Sequence, residues 1–275
     1  MTSDRAVVGL DFSGATAAGR AIWIAEGRER RGRLAIGTCR PARDLPGGGA
    51  TRVLALPAVV YHLRGLGPAI VGCDFPFSLP VGLPGAFADR ADWRAFLAAF
   101  PKQFPNAEAF RDACRATSGG RELRRLCDTE AKVPFCAWNL RLYRQTWHGI
   151  AGILHPLVLE TGAVVLPMEK PLPERLWLAE VCPASFLKRI RQYAPYKGCA
   201  AMHREMRATI LRRLVGDRLL APPAPAVERA LLDDPGGDAL DSAVAAVVTW
   251  RSWRDGDFAE PPRSPAEALE GRVYF

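Results

Sequence analysis

The amino-acid sequence predicts an α/β protein: a mixed five-stranded sheet flanked by helices, with a large, mostly helical insertion at about residues 81–173 between the fourth and fifth strands. Two apolar runs carry the first argument, Ala6-Val7-Val8-Gly9-Leu10 and Pro68-Ala69-Ile70-Val71-Gly72-Cys73. A strand covered on both faces reads as an unbroken apolar stretch rather than an alternation. Each run stops on a carboxylate, Asp11 in one and Asp74 in the other. The order of the remaining elements along the chain points the same way.

Residues 20–26, with Ile22, Trp23 and Ile24, and residues 33–39 read as the second and third strands. The charged, glycine-containing stretch 27–32 joins them, so three consecutive strands form an antiparallel meander. A Pro/Gly loop follows at 41–49. Residues 50–66 then place Val53, Leu56, Val59, Val60 and Leu63 on one helical face, with Pro57 expected to kink the helix. After the strand that ends on Asp74 comes the Pro-rich turn Phe75-Pro76-Phe77-Ser78-Leu79-Pro80. The insertion carries expected helices at 89–100, 106–117 and 138–154. Residues 176–179 return as a strand ending at Glu180, and Pro183 stands where a first helical turn begins. Terminal helices are expected at 183–191, 201–215 and 238–250. No internal repeat or low-complexity tract interrupts this order.

Three strands, a helix, a strand, an insertion, a strand and terminal helices is the order of a ribonuclease-H-like domain, and the chain reads as one such domain over 1–275. In that arrangement the first and fourth strands lie parallel and adjacent, so residues at their carboxyl ends stand about 5 Å apart. Ligands of open α/β sheets bind outside those ends.

With 275 residues, 49% hydrophobic and 24% charged, the chain has enough apolar material for a substantial core, and its composition excludes disorder, collagen-like repeats and a dominant coiled coil. A net charge of +8 favours phosphate-rich partners, although an Arg-rich composition also follows from nucleotide bias in a genome. The seven cysteines show no Cys-x-x-Cys pair and read as reduced thiols, which points to a cytoplasmic location. No stretch reaches the roughly 18 apolar residues of a membrane helix, so no membrane role is expected.

Two ionised carboxylates held side by side repel each other unless a cation lies between them. Asp11 and Asp74 therefore call for a metal. Gly236-Gly237-Asp238-Ala239-Leu240-Asp241 opens an Ala/Val-rich helix, and a spacing of three puts Asp238 and Asp241 on one face of its first turn. Asp11, Asp74, Asp238 and Asp241 are the candidate metal ligands. Mg²⁺ or Mn²⁺ suits such oxygens, and a metal pair about 4 Å apart activates water for phosphodiester hydrolysis. Asp11, Asp74, Glu180 and Asp241 are the candidate catalytic residues, Glu180 as a fourth ligand or as the group that positions the attacking water. Each acid also has a structural role open to it: Asp238 as a helix cap, Asp241 as a first-turn acid in the helix dipole, Asp11 and Asp74 as turn-initiating residues.

The motifs Gly9-Leu10-Asp11-Phe12-Ser13-Gly14, Gly72-Cys73-Asp74-Phe75-Pro76-Phe77-Ser78-Leu79-Pro80, Glu180-Val181-Cys182-Pro183-Ala184-Ser185-Phe186, Tyr196-Lys197-Gly198 and Asp238-Ala239-Leu240-Asp241-Ser242-Ala243 occur in this order over almost the whole chain. In them the chain resembles a family of uncharacterised proteins described as predicted ribonuclease-H-like nucleases, the domain of unknown function 429. The resemblance implies an acid-based metal site on Asp11, Asp74, Glu180 and Asp241. The acid spacing at the terminal helix is also similar to that of Holliday-junction resolvases, and the long insertion departs from the minimal fold.

Residues 171–220 carry a surplus of six positive charges, Arg189, Lys197 and Arg204 among them. Next to a metal site they would neutralise the phosphates of DNA or RNA, with Tyr193 or Tyr196 stacking on bases; a solvated helix face is the plain alternative. Lys197, in a loop before Gly198, is the preferred phosphate contact, and Ser13 lies in a segment able to wrap a phosphate. His62, His148, His155 and His203 show no metal spacing, and no Gly-x-Ser-x-Gly or Walker-type loop occurs. The expected function is a metal-dependent nuclease. A nucleotide phosphohydrolase of the same superfold and a non-catalytic nucleic-acid-binding or protein-binding module are the alternatives.

Overall fold

The computed structural model describes residues 5–87 and 92–275. Among them seven strands form one mixed sheet: β1 (Ala6–Asp11), β2 (Trp23–Arg30), β3 (Arg33–Pro41), β4 (Ala69–Asp74), β5 (Val164–Leu166), β6 (Trp177–Val181) and β7 (Val273–Tyr274). Their order is β3-β2-β1-β4-β6-β5, with β7 also paired to β6. The β1–β2 and β2–β3 pairs are antiparallel, and the β1–β4, β4–β6, β5–β6 and β6–β7 pairs are parallel.

Five strands were expected, and seven are found. The two extra ones have three and two residues, too short for any pattern of side chains to distinguish them from loop. One of them, β5, lies inside the expected helical insertion. The second strand is displaced from 20–26 to Trp23–Arg30 because α1 (Ala18–Ala21) occupies the preceding residues. Arg31 and Gly32, with φ of 53° and 70°, then form a two-residue turn into β3, the geometry that matches the twist of an antiparallel pair.

Helix α2 (Arg52–Gly65) follows the meander. The insertion holds α3 (Trp93–Gln103), α4 (Ala107–Thr117), α5 (Leu126–Glu130) and α6 (Tyr143–Gly149), the last continuing through a π-turn at Ile150–Leu154 into α7 (His155–Thr161). Asp92 and Asn106 cap α3 and α4 by accepting the Ala95 and Ala109 amides at 2.8 Å. The expected start of the first insertion helix, at 89, lies outside the described residues. After β6 come α8 (Pro183–Arg189), α9 (Ala201–Gly216), α10 (Pro225–Asp233), α11 (Asp238–Asp255) and α12 (Pro265–Glu270). Among the described residues no helix is long and apolar enough to cross a membrane.

Two apolar cores cover the two faces of the sheet. Val8, Leu10, Val71 and Cys73 point toward α2 and the insertion helices, whereas Val7, Ile70 and Ala179 point toward α8 to α11. This alternation is the pleat, which sends successive side chains to opposite faces. Helix α11 is apolar nearly all round and is buried without a break from Ala239 to Trp250, as such a helix must be.

Residues 264–274 tie α12 and β7 to the rest through buried charge. Glu267 accepts from Arg272 Nε at 2.8 Å and from Arg263 Nη2 at 2.7 Å. Burial opposes its charge, but the two guanidiniums prevail and hold the carboxyl down at about 2. A depressed carboxyl stabilises the fold fully above its ordinary value of 4.5, and that stabilisation is lost as pH falls toward 2. Glu267→Gln is expected to lower stability at pH 7 by about 2 kcal/mol and to flatten its fall between pH 4.5 and 2, which urea unfolding across that range checks.

Candidate functional site

Strands β1 and β4 pair in parallel register, Gly9 opposite Gly72 and Asp11 opposite Asp74. Residues in register on parallel strands share a face, and residues two apart on one strand do too. The two glycines and the two aspartates therefore all face α11. A Cβ on Gly9 would stand 1.9 Å from the Ser242 carbonyl oxygen and 2.3 Å from the Ala246 nitrogen, and one on Gly72 would stand 1.8 Å from Thr249 Oγ1. Only the missing side chains let α11 lie this close to the sheet, and the close approach carries its first turn to the two aspartates.

The start of α11 is arranged for the same purpose. Gly237, with φ of 74°, precedes the helix. Asp234 supplies the cap, its carboxylate accepting the Ala239 amide at 3.0 Å. Asp238, for which a capping role was open, instead accepts from Lys197 Nζ at 3.4 Å. Asp241, 4% exposed, receives the Tyr196 hydroxyl on Oδ1 at 2.6 Å and Lys197 Nζ on Oδ2 at 2.7 Å.

The loop that supplies Tyr196 and Lys197 is held from below by Arg207 of α9. Its buried guanidinium donates to the carbonyls of Tyr196 (2.6 Å), Gly198 (3.2 Å) and Leu232 (2.8 Å). The Gly198 amide in turn donates to the Pro235 carbonyl at 2.7 Å. Arg207 belongs to the basic stretch 171–220, and nothing local in the sequence marks it as an internal clamp.

Charge is poorly balanced here. Asp11 is 8% exposed, and no donor among the described residues hydrogen-bonds its carboxylate. Burial and then the charges of Asp241, Asp238 and Asp74 push its carboxyl well above the usual range. Burial and Asp241 push Asp74 up to about 8, with Lys197 only partly offsetting them. Lys197 exposes about half of its side chain, and Asp241 and Asp11 outweigh the partial desolvation of its ammonium and raise it.

Glu180 does not join this group. It pairs in register with Cys73, so the pleat turns it to the opposite face from Asp74. There Arg125 of the insertion takes both of its oxygens, Nη2 at 2.5 Å and Nη1 at 2.7 Å, and the Phe77 amide donates to it at 2.9 Å. Arg125 also binds Asp128 at 2.6 Å. A carboxylate so fully engaged with Arg125 is the anchor of the insertion on the sheet rather than the expected fourth ligand, although both residues line the same cleft as Asp74. Arg189 and Arg204 are likewise corrected. Arg189 lies over the Phe275 ring in a separate hollow, and Arg204 pairs with Asp233 at 2.8 Å on the outside of α9. Neither lines the cleft.

Asp11, Ser13, Asp74, Lys197, Asp238 and Asp241 all line one cleft of about 570 Å³. Ser13 Oγ accepts the Ala15 amide at 3.3 Å. The insertion forms the far wall with Phe135, Leu142 and Gln145, and Gln145 donates to the Asp74 carbonyl at 2.6 Å. Tyr193, half exposed, stands at the rim. Among the described residues no three Asp, Glu, His or Cys side chains meet as a ready-made metal-holding group. Compared with protein-family models, curated proteins and solved structures, the chain matches none.

Proposed function

We propose that the protein is a metal-dependent phosphodiester hydrolase that acts on nucleic acid, DNA or RNA, through Mg²⁺ or Mn²⁺. One observation carries this reading: Asp11 and Asp74 are register neighbours in a cleft, Asp11 buried and Asp74 half-buried, and among the described residues no donor or cation stands in bonding reach of either carboxylate. Placing two such carboxylates together without a partner is costly, and a divalent cation removes the cost. Mg²⁺ is usually held by one or two carboxylates and completes its shell with water and substrate phosphate. Two aspartates without a third ligand therefore fit such an ion.

When bound, the ion supplies an activated water and stabilises charge on the phosphate. The chain's own groups do the rest. Asp11 and Asp74 would hold the ion, Lys197 brings a fixed positive charge beside it, and Phe135 and Tyr193 offer flat apolar surfaces to bases. The meander with a parallel fourth strand beside the first supports a ribonuclease-H-like sheet, extended here by β5 and β7. The cysteines are free thiols, which fits a reducing compartment such as the cytoplasm.

Incubation with Mn²⁺ and a panel of single-stranded, duplex and branched DNA and RNA tests the reading. Hydrolysis is expected for the unaltered chain, and Asp11→Asn is expected to reduce it by about 10³-fold. Absence of cleavage across the panel, or cleavage untouched by Asp11→Asn, overturns it.

A further inference from the structure

We propose that this cleft takes a single divalent ion, on Asp11 and Asp74, and that Lys197 permanently fills the place of a second ion beside Asp238 and Asp241. The inference rests on the metal-dependent reading above and specifies what that site binds. Two-metal phosphodiesterases bring a pair of ions about 4 Å apart, each needing carboxylate oxygens of its own. Here the four acids divide into two halves with different partners.

The Asp238–Asp241 half is already satisfied. Lys197 Nζ stands 2.7 Å from Asp241 Oδ2 and 3.4 Å from Asp238 Oδ1, and the Tyr196 hydroxyl occupies Asp241 Oδ1 at 2.6 Å. Both Asp241 oxygens are therefore committed. The ammonium is placed there by construction. Arg207, 3% exposed, grips the carbonyls of Tyr196 and Gly198 on either side of Lys197. Gly237, left-handed, leaves open the space that its own Cβ would otherwise contest with the Tyr196 ring and Lys197 Cγ, 2.9 and 3.1 Å away.

The Asp11–Asp74 half is the reverse. Asp11 is more than nine-tenths buried and faces the cluster, yet among the described residues no donor reaches its carboxylate and no cation stands in salt-bridge contact with it. Lys197 attracts Asp11 through space without touching it, so the unmet need for a cation is greatest on this side. A tethered ammonium cannot leave with the product or be chelated, so hydrolysis should rise with the first power of metal concentration.

Mn²⁺ titration of the full chain by calorimetry, with paramagnetic resonance of the bound ion, tests the division. The unaltered chain is expected to bind one Mn²⁺ with an uncoupled spectrum. Lys197→Met is expected to bind two, with the exchange coupling of neighbouring ions. Lys197→Gln, which keeps a hydrogen-bond donor but no charge, guards against a loss of local order and is also expected to bind two. Two ions in the unaltered chain, or one ion in both variants, overturns the inference and leaves the metal-dependent reading standing. No Mn²⁺ in any of the three overturns both.

Discussion

Gly9→Ala is expected to cost about 4 kcal/mol or more, enough to leave little folded protein at 37 °C. The added carbon would stand 1.9 Å from the Ser242 carbonyl oxygen and 2.3 Å from the Ala246 nitrogen. Both are backbone atoms of a helix buried from Ala239 to Trp250, so no side-chain rotation relieves the clash. Either α11 lifts from the sheet or β1 leaves its register with β4. Gly37→Ala serves as the control, because its nearest contact would be the Glu26 carbonyl at 4.0 Å, and a change within about 0.5 kcal/mol is expected. Chemical unfolding of the two variants beside the parent decides the matter. Equal stability of Gly9→Ala and the parent would mean that α11 does not rest on the sheet as described.

Arg125→Met is expected to cost about 3–5 kcal/mol. Arg125 is 1% exposed and is the cation shared by Asp128 and Glu180, themselves 3% and 4% exposed. Removing it leaves two carboxylates in the interior without a countercharge, each keeping only a backbone amide. Arg125→Lys should rescue little, since a single ammonium cannot reproduce the planar fork that reaches both acids at once. Joint replacement with Asp128→Asn and Glu180→Gln, which removes the stranded charge, is expected to recover about half of the loss. The readout is the unfolding midpoint of the three proteins. A single Arg125→Met variant as stable as the parent would remove the ion-pair anchor from the account of how the insertion is held.

Much of this arrangement was legible in the sequence because two strands spell it out nearly identically. Gly9-Leu10-Asp11 and Gly72-Cys73-Asp74 each combine a place for close helix approach with an acid on the same face, and each follows an unbroken apolar run. Helix α11 was equally plain, since an Ala/Val stretch without a polar face has to be buried. The sequence was silent where geometry depends on distant partners. Glu180 follows an apolar strand just as Asp74 does, and only the register with Cys73 turns it away. Arg125 sits in the charged run Arg121-Glu122-Leu123-Arg124-Arg125, from which nothing local distinguishes the one side chain that enters the core. Lys197, expected to touch phosphate, lies on Asp241, because the neighbouring backbone is fixed by Arg207.

Helix α11 lies against β1, more than two hundred residues earlier in the chain. While the protein is being synthesised, Asp11 and Asp74 thus spend most of that time without the element that completes their surroundings. Contacts of such long sequence separation form late, and the amides of β1 and α11 are expected to exchange with solvent only when the whole molecule opens. A nascent or partly degraded chain would accordingly carry the acids without the assembled cleft, so that the arrangement of the four aspartates appears and vanishes together with the folded state.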